Sequence, residues 1–140
     1  VTPDGATIAV SGLDGAVELR EADTLQPIRT MSADGVLVAD IVFDRRGDLL
    51  ATIDRNGAVR VWDSHTGDLT FTPPSQPVGA DTIAFGDDGS LLVVVYEDGR
   101  ILSYPIALED AIANARSRVT RSLTDAECRT YLHLEACPAG

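Results

Sequence analysis

The chain contains no lysine; all eleven basic residues are arginine, set against 22 acidic residues, for a net charge of −11. Phosphate-backbone binding rests on clustered Lys and Arg, so this balance argues against a nucleic-acid surface and fits solubility or a basic protein partner. The usage of Arg, Ala, Val, Gly and Asp also matches the codons of a high-GC genome. No run of 18 apolar residues occurs, and no basic leader precedes an apolar stretch, so neither a membrane helix nor a signal peptide is expected. Histidine is nearly absent too: only His65 and His133 occur. His65 stands beside Ser64, but no Gly-x-Ser-x-Gly elbow surrounds the serine, and the histidine reads as a solvated turn residue. No glycine is left over for a phosphate loop, since each fits a hairpin or turn. Asp87-Asp88-Gly89 and Asp98-Gly99 lack the alternating aspartates of a calcium loop and read as turn chemistry. No catalytic residue, cofactor or metal site is expected.

What the chain does have is a repeat. Gly5 and Gly15, Gly47 and Gly57, and Gly89 and Gly99 are paired ten residues apart, and the pairs recur every 42 residues. A period of this length implies stacked supersecondary units that share a core. The second unit predicts strands over Val36–Phe43, Leu49–Ile53, Ala58–Trp62 and Leu69–Thr72. The turns between them carry Asp-Arg-Arg-Gly, Asp-Arg-Asn-Gly and Ser-His-Thr-Gly. Short strands with turn signals every 8–12 residues indicate an all-β architecture, and Asn-Gly and Asp-Gly favour hairpins because both residues tolerate positive φ. The third unit predicts Thr82–Phe85, Leu91–Tyr96 and Arg100–Tyr104; the first predicts Ala6–Ser11, Ala16–Arg20 and a strand near Pro27–Met31. Phe43, Phe85, Val61 and Leu92 are expected inward.

Four strands per unit, the entry Phe43-Asp44-Arg45-Arg46-Gly47-Asp48-Leu49-Leu50 and the pair Trp62-Asp63 resemble tryptophan–aspartate (WD) repeats, which build β-propeller blades. The resemblance covers Val1 to about Ile106. It implies blades at about 1–33, 34–75 and 76–106, the first with strands b, c and d, the second with all four, and the third with a, b and c. Such propellers commonly close by borrowing a strand for the last blade, so the resemblance implies the last three blades of a longer ring, with further chain before Val1. There are departures. Ala33-Asp34 and Ser75-Gln76 stand where the family often has Gly-His, and Arg20 and Tyr104 replace the tryptophan. Asp14 and Asp98 match the family's turn aspartate, while the second unit has Asn56. The family's buried polar network is thus incomplete, and blades held mainly by apolar packing are expected.

After Pro105 the composition changes. Leu108, Ile112, Ala115 and Val119 fall on one helical face, and Thr124-Asp125-Ala126-Glu127 forms a capping box for a second helix. A two-helix tail is therefore expected over 107–140. It is similar to the tail that follows the propeller in many large bacterial WD-repeat signalling proteins. Cys128, His133 and Cys137 allow three readings: a capped helix with a buried thiol, a Cys128–Cys137 disulfide, or a zinc site completed from elsewhere. Cys128 and His133 lie roughly 140° apart on a helix, which disfavours shared ligation. Arg116, Arg118, Arg121 and Arg129 suit a solvated helix face, docking on the acidic blades, or an acidic partner.

The function expected is a non-catalytic, cytoplasmic interaction or sensor module of a larger bacterial regulator. Its partner would be another protein or an N-terminal effector domain, with neither nucleic acid nor membrane involved. The candidate protein-binding residues are Asp34, Arg55, Asn56, Gln76 and Glu97. The alternative is a fragment of a hydrolase or quinoprotein propeller whose active residues lie in other blades.

Overall fold

The computed structural model describes residues 1–32, 35–87 and 89–106, all within the first of the chain's two units, Val1–Leu108. Asp34 and the expected helical tail, with Cys128, His133 and Cys137, lie outside the described residues. The described residues form ten strands in three antiparallel sheets. The first sheet is β1 (Thr7–Ser11), β2 (Ala16–Glu21) and β3 (Pro27–Ser32), in that order. The second is β4 (Val38–Phe43), β5 (Leu49–Asp54), β6 (Val59–Asp63) and β7 (Leu69–Phe71). The third is β8 (Ala80–Phe85), β9 (Leu91–Tyr96) and β10 (Ile101–Pro105). Among the described residues the first and third sheets have three strands each, and the second has four.

The repeat reaches into the irregularities. The ladder between the first two strands of the second sheet slips between Val38 and Asp40, and the third sheet slips between Ala80 and Thr82, 42 residues on. Likewise a slip between Leu19 and Arg20 recurs between Val61 and Trp62. A bulge re-aims side chains and increases local twist, so recurrence at one phase gives successive sheets a matching twist with which to pack.

The core lies between sheets. Val17, Leu19 and Met31 of the first sheet pack with Leu50 and Trp62 of the second. On the second sheet's other face, Ala51, Ile53, Val59 and Val61 pack with Ile83, Leu92, Val94 and Tyr96 of the third. Successive residues of β5 therefore meet different neighbours, and Leu50 through Asp54 are all buried. Val61 and Leu92 are fully buried as expected. Phe43 and Phe85, the last residues of β4 and β8, pack against the two clusters but remain half-buried at the strand ends.

The hairpin glycines fix how close the sheets come. Gly57 has φ +75°, and a Cβ there would lie 2.3 Å from Gly79 Cα and 2.6 Å from Ala80 N. Gly15, one period earlier, would meet the Val36 backbone at 2.5 Å. Each turn thus presses on the loop that leads into the next sheet. Gly99 has a similar φ, +81°, yet nothing among the described residues lies within 4 Å of its would-be Cβ.

Candidate protein-interaction surface

The second sheet keeps more of a polar interior than its sequence suggests. Trp62 Nε1 donates to Thr52 Oγ1 at 3.1 Å, inside the sheet's buried face. Asp54, only 3% exposed, accepts from the backbone N–H of Asn56 and Ala58 at 2.9 and 3.0 Å and from Arg60 at 2.8 Å. In the other two sheets the turn aspartate lies two positions later: Asp14 accepts from Ala16 N and Asp98 from Arg100 N, each at 3.1 Å. Matching Asn56 to these aspartates by phase alone missed the substitution, because Asp54 closes the turn from its first residue. Expecting mainly apolar packing was correspondingly incomplete for this sheet.

The other sheets fill the tryptophan phase differently. Arg20 donates through Nε to Glu18 at 2.9 Å and through NH1 to the Leu25 carbonyl at 2.9 Å. Tyr104 and Tyr96 share a hydroxyl–hydroxyl hydrogen bond of 2.8 Å. Burial pushes the Tyr96 phenol well above its ordinary pKa and the Tyr104 hydroxyl adds to this, against a smaller opposite effect of Arg100. The Arg100 guanidinium stands 5.6 Å from the centroid of the Tyr96 ring.

The described candidate contact residues gather at one end of the sheets. Arg55 and Asn56 are exposed in the turn between β5 and β6, Glu97 is exposed in the turn between β9 and β10, and half-buried Gln76 lies in the loop from β7 to β8. Backbone bonds hold turns and loops together: Arg55 N donates to Leu37 O at 2.8 Å, Ala80 N to Gly57 O at 3.1 Å, and Glu97 N to Gly79 O at 3.2 Å. Asn56 and Gln76 line one shallow pocket with Tyr96 and the prolines at 73, 74 and 77. Two further residues stand at this end of the sheets. Leu13 is 94% exposed and falls at the same repeat phase as Arg55 and Glu97, a signal available from the 42-residue period. Arg100 NH1 lies 3.3 Å from Gln76 Oε1, a cross-loop contact no local pattern announces.

His65 behaves as a turn residue. Ser64 Oγ donates to the Gly47 carbonyl at 2.5 Å. His65 Nδ1 is the nitrogen nearest both Ser64 Oγ, at 3.4 Å, and Asp48 Oδ1, at 3.9 Å. A triad needs serine and carboxylate on opposite ring nitrogens, so these three side chains do not compose one. Asp63 closes the turn by accepting from the backbone N–H of Thr66 and His65, which holds its carboxyl below the usual range. Among the described residues, no group of three His, Cys, Asp or Glu is placed to hold a metal. No helix among them is long and apolar enough to cross a membrane.

Four-stranded antiparallel sheets are the blades from which WD-repeat propellers are built. The WD domain, G-beta repeat family matches residues 25–63, which run from the turn before β3 to the end of β6. Over 98 residues the chain is 26% identical to telomerase protein component 1 of Rattus norvegicus and 24% identical to that of Mus musculus. Each alignment covers 70% of this chain but 4% of the relative.

Proposed function

We propose that this chain is a non-catalytic protein-interaction segment of a larger WD-repeat protein, binding through the turn end that carries Arg55, Asn56, Gln76 and Glu97. The observation that carries the reading is the fixed backbone beneath those side chains. Three turn–loop hydrogen bonds tie down the turns of exposed Arg55, Asn56 and Glu97 and the end of the loop that carries Gln76, the usual way a scaffold presents recognition loops. The recurrence of the ladder slips at a 42-residue interval supports membership of a repeat array.

In this reading the segment belongs to a bacterial signalling or regulatory protein and holds or releases an effector domain in the cytoplasm, with Asp34 as a further contact residue. The test is affinity capture of binding proteins by the immobilised chain, compared with Arg55→Glu. Charge reversal at the exposed turn lowers recovery of the specific partner about fivefold or more and leaves the circular-dichroism spectrum unchanged. Unchanged recovery contradicts the assigned surface.

A further inference from the structure

The loop between β7 and β8 reads Thr72-Pro73-Pro74-Ser75-Gln76-Pro77-Val78-Gly79. Residues 72–76 have neither strand nor turn geometry. Proline rings lock φ at positions 73, 74 and 77. A residue that precedes proline is pushed to extended or polyproline II backbone, which applies to Thr72, Pro73 and Gln76. Only Ser75 among residues 72–77 escapes both constraints. A polyproline II helix has three residues per turn, so Pro74 and Pro77 fall on one edge of such a segment. Both are exposed, as is Ser75, while Pro73 is buried and anchors the loop.

The segment is also held from both sides. Gln76 Nε2 donates to the Pro74 carbonyl at 3.3 Å, and Arg100 NH1 donates to Gln76 Oε1 at 3.3 Å. Beyond it, Gly79 lies against Gly57, and the Ala80 N–H donates to Gly57 O. An exposed proline pair three residues apart, ordered before any partner arrives, loses little entropy on binding.

We propose that Pro74–Pro77 is a docking ligand for a partner whose groove is lined by aromatic side chains and recognises polyproline II backbone, the chemistry of SH3, WW and EVH1 domains. The proposal rests on the protein-interaction reading above and narrows it to one loop and one partner chemistry.

The test titrates the whole chain against three purified probes, one SH3, one WW and one EVH1 domain, by isothermal calorimetry. Wild type binds at least one. Pro74→Ala with Pro77→Ala weakens that binding about tenfold or more, the scale of a lost anchor. Ser75→Ala, between the prolines, leaves binding within about twofold, a change of under 0.5 kcal/mol. If the double variant loses its wild-type circular-dichroism spectrum, Pro77→Ala alone takes its place. Absence of binding to all three probes, or equal binding by the proline variants, overturns the proposal. Arg55→Glu separates the two readings. If it abolishes partner capture while the proline variants do not, the interaction surface stands and this inference falls. If the proline variants abolish capture and Arg55→Glu does not, this inference stands and the wider surface falls.

Discussion

At the residue scale, the pair Trp62 and Thr52 has the clearest energetic signature. Removing either partner leaves a buried polar group without its hydrogen bond, which costs about 1–3 kcal/mol. Trp62→Phe and Thr52→Val are each expected to lower stability on that scale in urea denaturation. The double variant should cost less than the sum by roughly 1 kcal/mol, because neither orphan then remains. Additive losses would mean that the bond is not a coupled contact. Tyr96 makes a second, pH-dependent prediction. Its folded-state pKa is raised above the ordinary value of 10.0. The neutral phenol therefore contributes stability that is complete below about pH 10 and is lost as pH rises beyond it. Tyr96→Phe should flatten the alkaline fall in the urea midpoint, and an unchanged fall would contradict that assignment.

At the element scale, the hairpin glycines separate backbone strain from packing. Gly99→Ala meets open space and is strained only by its positive φ, a cost of about 1–2 kcal/mol. Gly57→Ala has a similar φ and in addition collides with the Gly79–Ala80 backbone, so roughly 3 kcal/mol or more is expected. Equal losses in urea titrations would show that the turn and the following loop do not press together as described. These elements also show how far the sequence could be read. Strand positions were legible because each turn needs a residue that tolerates positive φ, and glycine marks it. The bulges at Val38–Asp40 and Ala80–Thr82 were not legible, because a ladder slip is decided by the partner strand. The capping role of Asp54 was not legible, because a carboxylate can cap the same turn from either end. For the candidate surface, Arg55, Asn56 and Glu97 were legible as turn residues and Gln76 as a loop residue. That Gln76 meets Arg100 and shares a pocket with Tyr96 depended on how distant parts of the chain fold together.

At the scale of the whole molecule, the described residues leave two faces uncovered. On the outer face of the first sheet Val10 is 43% exposed, and on the third sheet Ile101 is 66% exposed. Among the described residues β1 and β10 are edge strands, paired on one side only, and such edges invite association. Apolar faces that pack tightly only in the middle of the array make each sheet's stability depend on its neighbours. The central claim is that these sheets are successive blades of a larger array. It is tested most directly by the thermal unfolding of the isolated 140-residue chain across a wide concentration range. The account predicts a broad, low-temperature transition that shifts with concentration as the chains associate. A single cooperative transition of a monomer, independent of concentration, would contradict it.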